Sequence, residues 1–576
     1  MIKQKNNTKK IFVGVAWPYV NGDLHPGHLG GYLLPADVFS RYHRMRGDDV
    51  LMVSGSDCHG TPIVVEADKQ NKSPREIAQK YHQKDLELFR LFGLDYNLYT
   101  STITENHAKI SRDIFLKLLE NGYIIKDKTK QYYSVEAEKF LPDRYVEGQC
   151  PYCQAEDQRS DQCEVCGRWL KEGEVINPKN KLSGEKVILK ETEHYFLELE
   201  KFEKEIKEYI EDRKKIWKKW VAKEALGWIS EGLKKRAITR DLDWGILLPE
   251  EEIKKMSAEK QIADADKKRL YVWFEAVIGY LSASVEWAER KEEAKEIIFK
   301  KQKGQSLDWQ DWWKNDKAEH YYFMGQDNLV FHTIMWPTQL LGLRENHQLP
   351  TNVVVNKFMN YEGKKFSKSK NWTIDSVKLA EKYGVDEVRF YVLSILPENK
   401  TSNFSYENLE EVVNNELVAI LGNFFNRVLK VLENKFERKI DFKGYVMSEK
   451  VKKEIEKTFQ NQTKALEDCK FVEGLECFMN LAKFGNRFVE ENEIWKIEKD
   501  KAGDEGKTIL LDAINLILNL GYLFHPYMPI AGEKLLRQLG EEFSLEIGKD
   551  LLGEIKVRNN FSLKTSTEPL FKKIRN

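Results

Sequence analysis

An unbroken apolar run at Ile11-Phe12-Val13-Gly14-Val15-Ala16 predicts a strand buried on both faces, as in a parallel sheet. Helical periodicity follows through Leu29–Arg46 and stops at Gly47. A second apolar run, Val50–Ser54, leads into Ser56-Asp57. Strands alternating with amphipathic helices predict an α/β unit whose ligands bind at the carboxyl ends of its strands. Over 126–245 the rhythm breaks into aromatic patches, four cysteines and a lysine-rich amphipathic helix, which reads as an insertion. It resumes at Arg269–Leu281, with strands at His320–Met324 and Asn352–Asn356. From Tyr406 to Gln538 only helical spacing remains, as in Leu417-Ile420-Leu421-Phe424-Phe425-Val428, so a helix bundle is expected there.

A chain of 576 residues exceeds what one core supports, so three or four domains are expected. Its 92 basic and 92 acidic residues cancel, so a nucleic-acid partner must be met by a local basic patch. Basic Met1–Lys10 followed by apolar Ile11–Val20 imitates a signal peptide, but no small-residue cleavage site follows and Asn21-Gly22-Asp23 reads as a turn. No apolar run approaches the length that spans a bilayer, so a cytoplasmic protein without membrane contact is expected. Seven cysteines, an odd number with four clustered, argue against a disulfide framework.

Three constellations carry chemistry. His25-Pro26-Gly27-His28 stands after the first strand, where a helix start offers amides, and Gly27 lets a ligand approach the backbone. Alone, two histidines three apart are more often incidental. Lys364-Lys365-Phe366-Ser367-Lys368-Ser369, distant in sequence, adds flexible cations and hydroxyls that suit an anion clamp. Cys150-Pro-Tyr-Cys153 and Cys163-Glu-Val-Cys166 have the spacing of a four-thiolate knuckle, which leaves no open coordination position and so points to structural zinc. Cys58, Cys469 and Cys477 read as isolated small buried residues.

The two phosphate-handling segments resemble the HIGH and KMSKS signatures of class I aminoacyl-tRNA synthetases. Similarity to the methionine branch extends through Ala16-Trp17-Pro18-Tyr19-Val20-Asn21-Gly22, Gly55-Ser56-Asp57-Cys58-His59-Gly60-Thr61, Arg240–Gly245, Val272–Tyr280 and Gly325-Gln326-Asp327 with Phe331-His332. Pro26 and Phe366 depart from the signatures at apolar positions only, and Trp17 and Val277 stand where many relatives carry Leu and Pro.

The resemblance implies a Rossmann-type catalytic domain in two halves, 1–125 and 246–345, split by the knuckle-bearing insertion 126–245. A KMSKS-containing linker would follow over 346–405 and an anticodon-binding helical domain with a tail over 406–576. It implies ATP-dependent ligation of methionine to tRNA through an adenylate. His25, His28, Lys365 and Lys368 would be catalytic, with Gly27, Ser367 and Asp327 joining them around Mg-ATP. Ala16, Trp17, Tyr19, Asp57, Trp273, Val277, Tyr280 and His332 would form the methionine pocket, Asp57 taking the ammonium. Asn423, Arg427 and Trp495 would read a CAU anticodon by hydrogen bonding and stacking. Because the chain stops soon after the bundle, without the extra domain that dimerises some relatives, a monomer is expected.

Rival readings fit less of the chain. The synthetases for valine, leucine and isoleucine carry an editing domain too large for about 120 residues. The cysteine enzyme holds zinc in its substrate pocket. A tRNA-binding paralogue has no need of a phosphate clamp, and a general nucleotidylyltransferase no need of the bundle.

Overall fold

The computed structural model describes residues 8–142, 145–160, 163, 165–166, 170, 173–181, 183–367 and 372–574. Its centre is a six-stranded sheet of β1 (Lys10–Val15), β2 (Asp49–Ser56), β3 (Leu98–Ser101), β4 (Ile298–Phe299), β5 (Ala318–Gly325) and β6 (Asn352–Asn356). The spatial order is β4-β3-β2-β1-β5-β6. All neighbours run parallel except β4 against β3. Ile11, Phe12, Val13 and Val15 are fully buried, as an unbroken apolar run between two helical layers requires. The connection reverses between β1 and β5, and ligands of open α/β sheets bind at that switch point.

The first helical segment is not one regular helix. A single turn, Pro26–His28, runs into a π-turn at Leu29–Leu33 and then the α-helix Leu34–Met45. Pro35 has no amide to give the carbonyl four residues back, so the i→i−4 ladder cannot be completed there. In the π register Leu34 N donates to the Leu29 carbonyl, and Asn356 at the end of β6 donates to the next one, Gly30, five residues before Pro35 (3.2 Å). Gly47, at φ 78°, ends the segment as anticipated.

The segment from Ile124 onward forms a separate antiparallel sheet, dominated by the pairing of Ile124–Ser134 with Ile188–Leu197. A small three-stranded sheet beside it (Val146–Gln149, Gln158–Arg159, Ile176–Asn180) carries the cysteines. Lys218, at the turn between the helices Glu203–Arg213 and Lys219–Ser230, donates to the Val355 carbonyl (3.0 Å), Asn356 Oδ1 (2.9 Å) and the Glu398 carbonyl (2.9 Å). That contact ties the lysine-rich helix pair to the end of β6.

The C-terminal part is helical, as the periodicity predicts, with long helices Glu449–Glu467, Phe471–Glu491 and Gly503–Phe524. A ribbon of Lys439–Asp441 against Asn560–Ser562 interrupts it. The expectation that no segment is apolar enough to span a bilayer needs correcting: Gly503–Phe524 meets that test by length and composition. It is the core helix of the bundle, with 83% of its most apolar stretch buried.

Candidate active site

The ends of β1 and β2 are laced together where the signature residues emerge. Asp57 N donates to the Pro18 carbonyl (2.9 Å) and Val20 N to the Asp57 carbonyl (3.3 Å), bridging Tyr19 and Asp57. Asp57 is thereby fixed in the interior, 4% exposed. Burial, and then the nearby Glu275 carboxylate, push its carboxyl well above the ordinary range; the His59 amide, 3.4 Å from Oδ1, acts in the opposite sense. A buried carboxyl so poised favours a cation that restores its charge.

Around it stand the aromatic residues. Trp17 packs edge-on to Tyr280, ring centroids 6.5 Å apart, and its indole fills the space that side chains on Gly55 and Gly279 would occupy. Tyr280 donates through its hydroxyl to His332 Nε2 (2.7 Å). His332 Nδ1 donates to the Asn328 carbonyl (2.9 Å), which fixes the tautomer, and burial holds its pKa near 4. Both polar tips are thus committed to each other, and the pair presents an uncharged, polarisable wall. Ala16 and Val277 are buried, Val277 one turn before Tyr280. Tyr19 and Trp273 line the adjoining cleft with Arg240 and Tyr271.

Nearby, at the start of the helical segment after β1, His25 caps the Pro26–His28 turn. Gly27 N donates to His25 Nδ1 (3.2 Å), and His25 N donates to His28 Nδ1 (3.1 Å). Both Nδ1 atoms accept, so each ring proton sits on Nε2. Two expectations change here. The first-turn amides are not open to a ligand: Gly27 N is taken by His25, and the His28 and Leu29 amides donate to the His25 carbonyl. Pro26 at the first helical position accordingly removes a donor that nothing requires. Gly27 leaves room for aromatic rings rather than for a ligand, since a Cβ there would lie 2.9 Å from His25 and 3.2 Å from Phe366.

Phe366 lies on His25 (centroids 4.1 Å apart, planes at 9°) and extends a stack through Tyr361. The signature loop therefore meets the histidines through its apolar position. Lys364 and Lys365 are exposed, Lys365 Nζ standing 5.4 Å over the Phe358 ring. Ser367 and Trp372 exchange backbone hydrogen bonds at 2.9 Å, closing the base of the loop. Lys368 lies outside the described residues. Asp327, in the short turn after β5, is exposed, and its charge reaches Tyr32, which packs beside His28.

The sequence matches the family described as tRNA synthetases class I (M) over residues 11–429. It is 42% identical over 573 residues to the methionine--tRNA ligase of Dehalococcoides mccartyi, covering 98% of this chain and 97% of that one. It is 40% identical over 540 residues to that of Roseiflexus castenholzii, covering 92% and 87%. The chain belongs to the methionine branch of the class I tRNA synthetases. Its fold agrees with the Mycobacterium tuberculosis methionyl-tRNA synthetase bound by methionyl-adenylate, at a TM-score of 0.76, 19% identity and coverage of 98% of this chain and 100% of that one.

One group escaped assignment from the sequence. Glu275, fully buried, meets His59 Nδ1 through Oε1 (3.1 Å) and His107 Nε2 through Oε2 (2.6 Å). Burial opposes its charge, yet the two imidazoles hold its carboxyl below the ordinary value. An acidic residue inside the apolar stretch Val272–Tyr280 was the available signal.

Two further sites lie apart. The sulfurs of Cys150, Cys153, Cys163 and Cys166 all fall within 4.8 Å of one another, and the Cys166 amide donates to Cys163 Sγ (3.4 Å). Four thiolates at about 2.3 Å from one ion stand about 3.8 Å apart, so this donor set fits a tetrahedral metal. In the bundle, the Arg427 guanidinium lies 5.0 Å from the Trp495 ring and pairs with Glu490 (2.6 Å). Both line a cleft floored by Val431, Val489 and Ile494. Asn423, a turn earlier and exposed, does not line it, whereas Asn426 and Asn434 do.

Proposed function

We propose that this chain attaches methionine to its tRNA in two steps. A methionine carboxylate oxygen attacks the α-phosphorus of ATP, giving methionyl-adenylate and pyrophosphate. A terminal ribose hydroxyl of the tRNA then attacks the adenylate carbonyl and releases AMP. No enzyme nucleophile takes part; positioning and charge stabilisation supply the rate. The observation that carries this reading is the buried Asp57 carboxyl beside the Trp17–Tyr280–His332 wall, at the same sheet edge as the His25–His28 pair.

In this reading Asp57 takes the substrate ammonium, and Ala16, Trp17, Tyr19, Trp273, Val277, Tyr280 and His332 enclose the thioether. Sulfur–aromatic contacts add about 0.3–1.5 kcal/mol each. His25 and His28 donate through Nε2 to phosphate oxygens, Lys365 and Lys368 neutralise the polyphosphate of Mg-ATP with Ser367, and Asp327 holds the ribose. Zinc on the four cysteines stiffens the small sheet of the insertion. The cleft beside Trp495 and Arg427 takes unstacked bases of a CAU anticodon, with Asn423 at its approach. The unpaired cysteines suit a reducing cytoplasm, where the chain would work as a monomer.

The test is amino-acid-dependent ATP–pyrophosphate exchange with methionine, leucine, valine, isoleucine and cysteine in parallel. Exchange with methionine alone is expected. Exchange with another amino acid would discard the pocket assignment, and none at all would leave a tRNA-binding module.

A further inference from the structure

Glu275 lies beyond the reach proposed for the substrate, yet it is the most heavily engaged carboxylate near the ammonium position. Its two oxygens are spent on two histidines from different elements: His59 follows β2, and His107 belongs to the helix Glu105–Glu120. Ser282 donates to the Gly279 carbonyl (3.1 Å), so its oxygen accepts from His107 Nδ1 (2.8 Å). With His107 Nδ1 protonated, one proton lies between His107 Nε2 and Glu275 Oε2. The other oxygen holds the His59 ring, and the His59 amide holds Asp57 Oδ1. The chain Ser282–His107–Glu275–His59–Asp57 is therefore continuous from a catalytic-domain helix to the residue proposed to bind methionine.

We infer that Glu275 is a positioning residue for methionine: clamped by His59 and His107, it fixes the turn that carries Asp57 and supplies the negative field that draws the substrate ammonium. The inference rests on Asp57 binding that ammonium. The titratable neighbours are few. Asp57 faces Glu275, the His59 amide and the buried Cys58 thiol, which burial and both carboxylates push up. Glu275 faces His59, His107 and Asp57.

The signs follow from like charges. Glu275 raises the proton affinity of Asp57 and equally its affinity for a substrate cation. A raised folded-state pKa means that Asp57 takes up a proton as pH falls through it, and methionine affinity falls with it. Removing the Glu275 charge lowers that pKa, so the acid limb moves to lower pH while affinity on the alkaline plateau weakens. Glu275→Gln suits the experiment, because its amide can still accept from His59 and donate to His107.

The experiment measures KM for methionine and for ATP across pH in pyrophosphate exchange, with wild type, Glu275→Gln and Asp57→Asn. Glu275→Gln should raise the methionine KM about tenfold at alkaline pH, leave the ATP KM unchanged, and move the acid limb about one pH unit lower. Methioninol, which keeps the ammonium, and the des-amino acid, which lacks it, serve as competitive inhibitors. Glu275→Gln should weaken methioninol and spare the des-amino acid. If Asp57→Asn separates the two inhibitors and Glu275→Gln does not, the inference fails. If Asp57→Asn does not separate them, the ammonium assignment itself fails. Equal losses for methionine and ATP, with a lowered Tm, would make Glu275 a folding residue only.

Discussion

The two halves of the candidate site are built on opposite principles. Around Asp57 the polar side chains are largely committed to one another, Tyr280 to His332 and both His59 and His107 to Glu275, with the buried Trp17 Nε1 left without a partner. Along the edge proposed to take phosphate, Lys364 and Lys365 are exposed, and Phe366 stacks on His25. A pocket that must separate methionine from near-isosteres needs a fixed shape, since apolar contacts separate such ligands by only about 1–3 kcal/mol. A clamp on a triphosphate needs reach and charge more than shape, and it must open to release pyrophosphate. On the proposed reading, an enclosed selecting pocket and an exposed charge clamp therefore sit side by side on one sheet edge.

The sharpest way to break that division is to strip a cation from the clamp. Lys368→Ala should slow methionine-dependent pyrophosphate exchange on the order of 10²-fold, as for loss of one preorganised donor. Methionine affinity, measured by equilibrium binding without ATP, should not change. An unchanged exchange rate would remove Lys368 from the mechanism. The converse variant attacks shape alone. In Gly279→Ala the new Cβ would lie 2.6 Å from the Trp17 indole, which Gly55 confines on another side. Overpacking costs about 1–3 kcal/mol, so the methionine KM should rise about tenfold with the ATP KM intact. Adding Trp17→Leu removes the clash and should recover part of the loss; a double variant no better than Gly279→Ala would show that overpacking against the indole is not the cause.

Legibility followed the same division. The strands that end at the site could be read because Ile11–Ala16 and Val50–Ser54 are apolar without interruption, the mark of strands covered on both faces. The histidines and lysines could be read because each group is contiguous in the chain. Glu275 could not be placed, because its partners lie 216 and 168 residues away and no local pattern encodes such a meeting. The π-turn at Leu29–Leu33 was written in Pro35, but periodicity alone cannot distinguish it from helix. In the bundle, four-residue spacing put Asn423 with Arg427, yet the cleft is lined by Asn426 and Asn434. Which face of a helix borders a cleft depends on what packs behind it, here Val489 and Ile494 from sequence sixty residues on.

The smallest expected effect tests how the two halves communicate. Phe366 is half-buried at the margin of the core, and its contact with the histidines is the face-to-face stack on His25. An aromatic pair of that kind contributes about 0.5–1.5 kcal/mol beyond buried area. Phe366→Ala should therefore raise the ATP KM by roughly two- to tenfold and leave the methionine KM untouched. Phe366→Met should recover most of the loss, since a thioether against an imidazole ring keeps part of the contact. A methionine KM that moves in step with that for ATP would mean that the histidine stack also shapes the amino-acid pocket. The site would then be one mechanical unit, and the separation of enclosed pocket from exposed clamp would have to be abandoned.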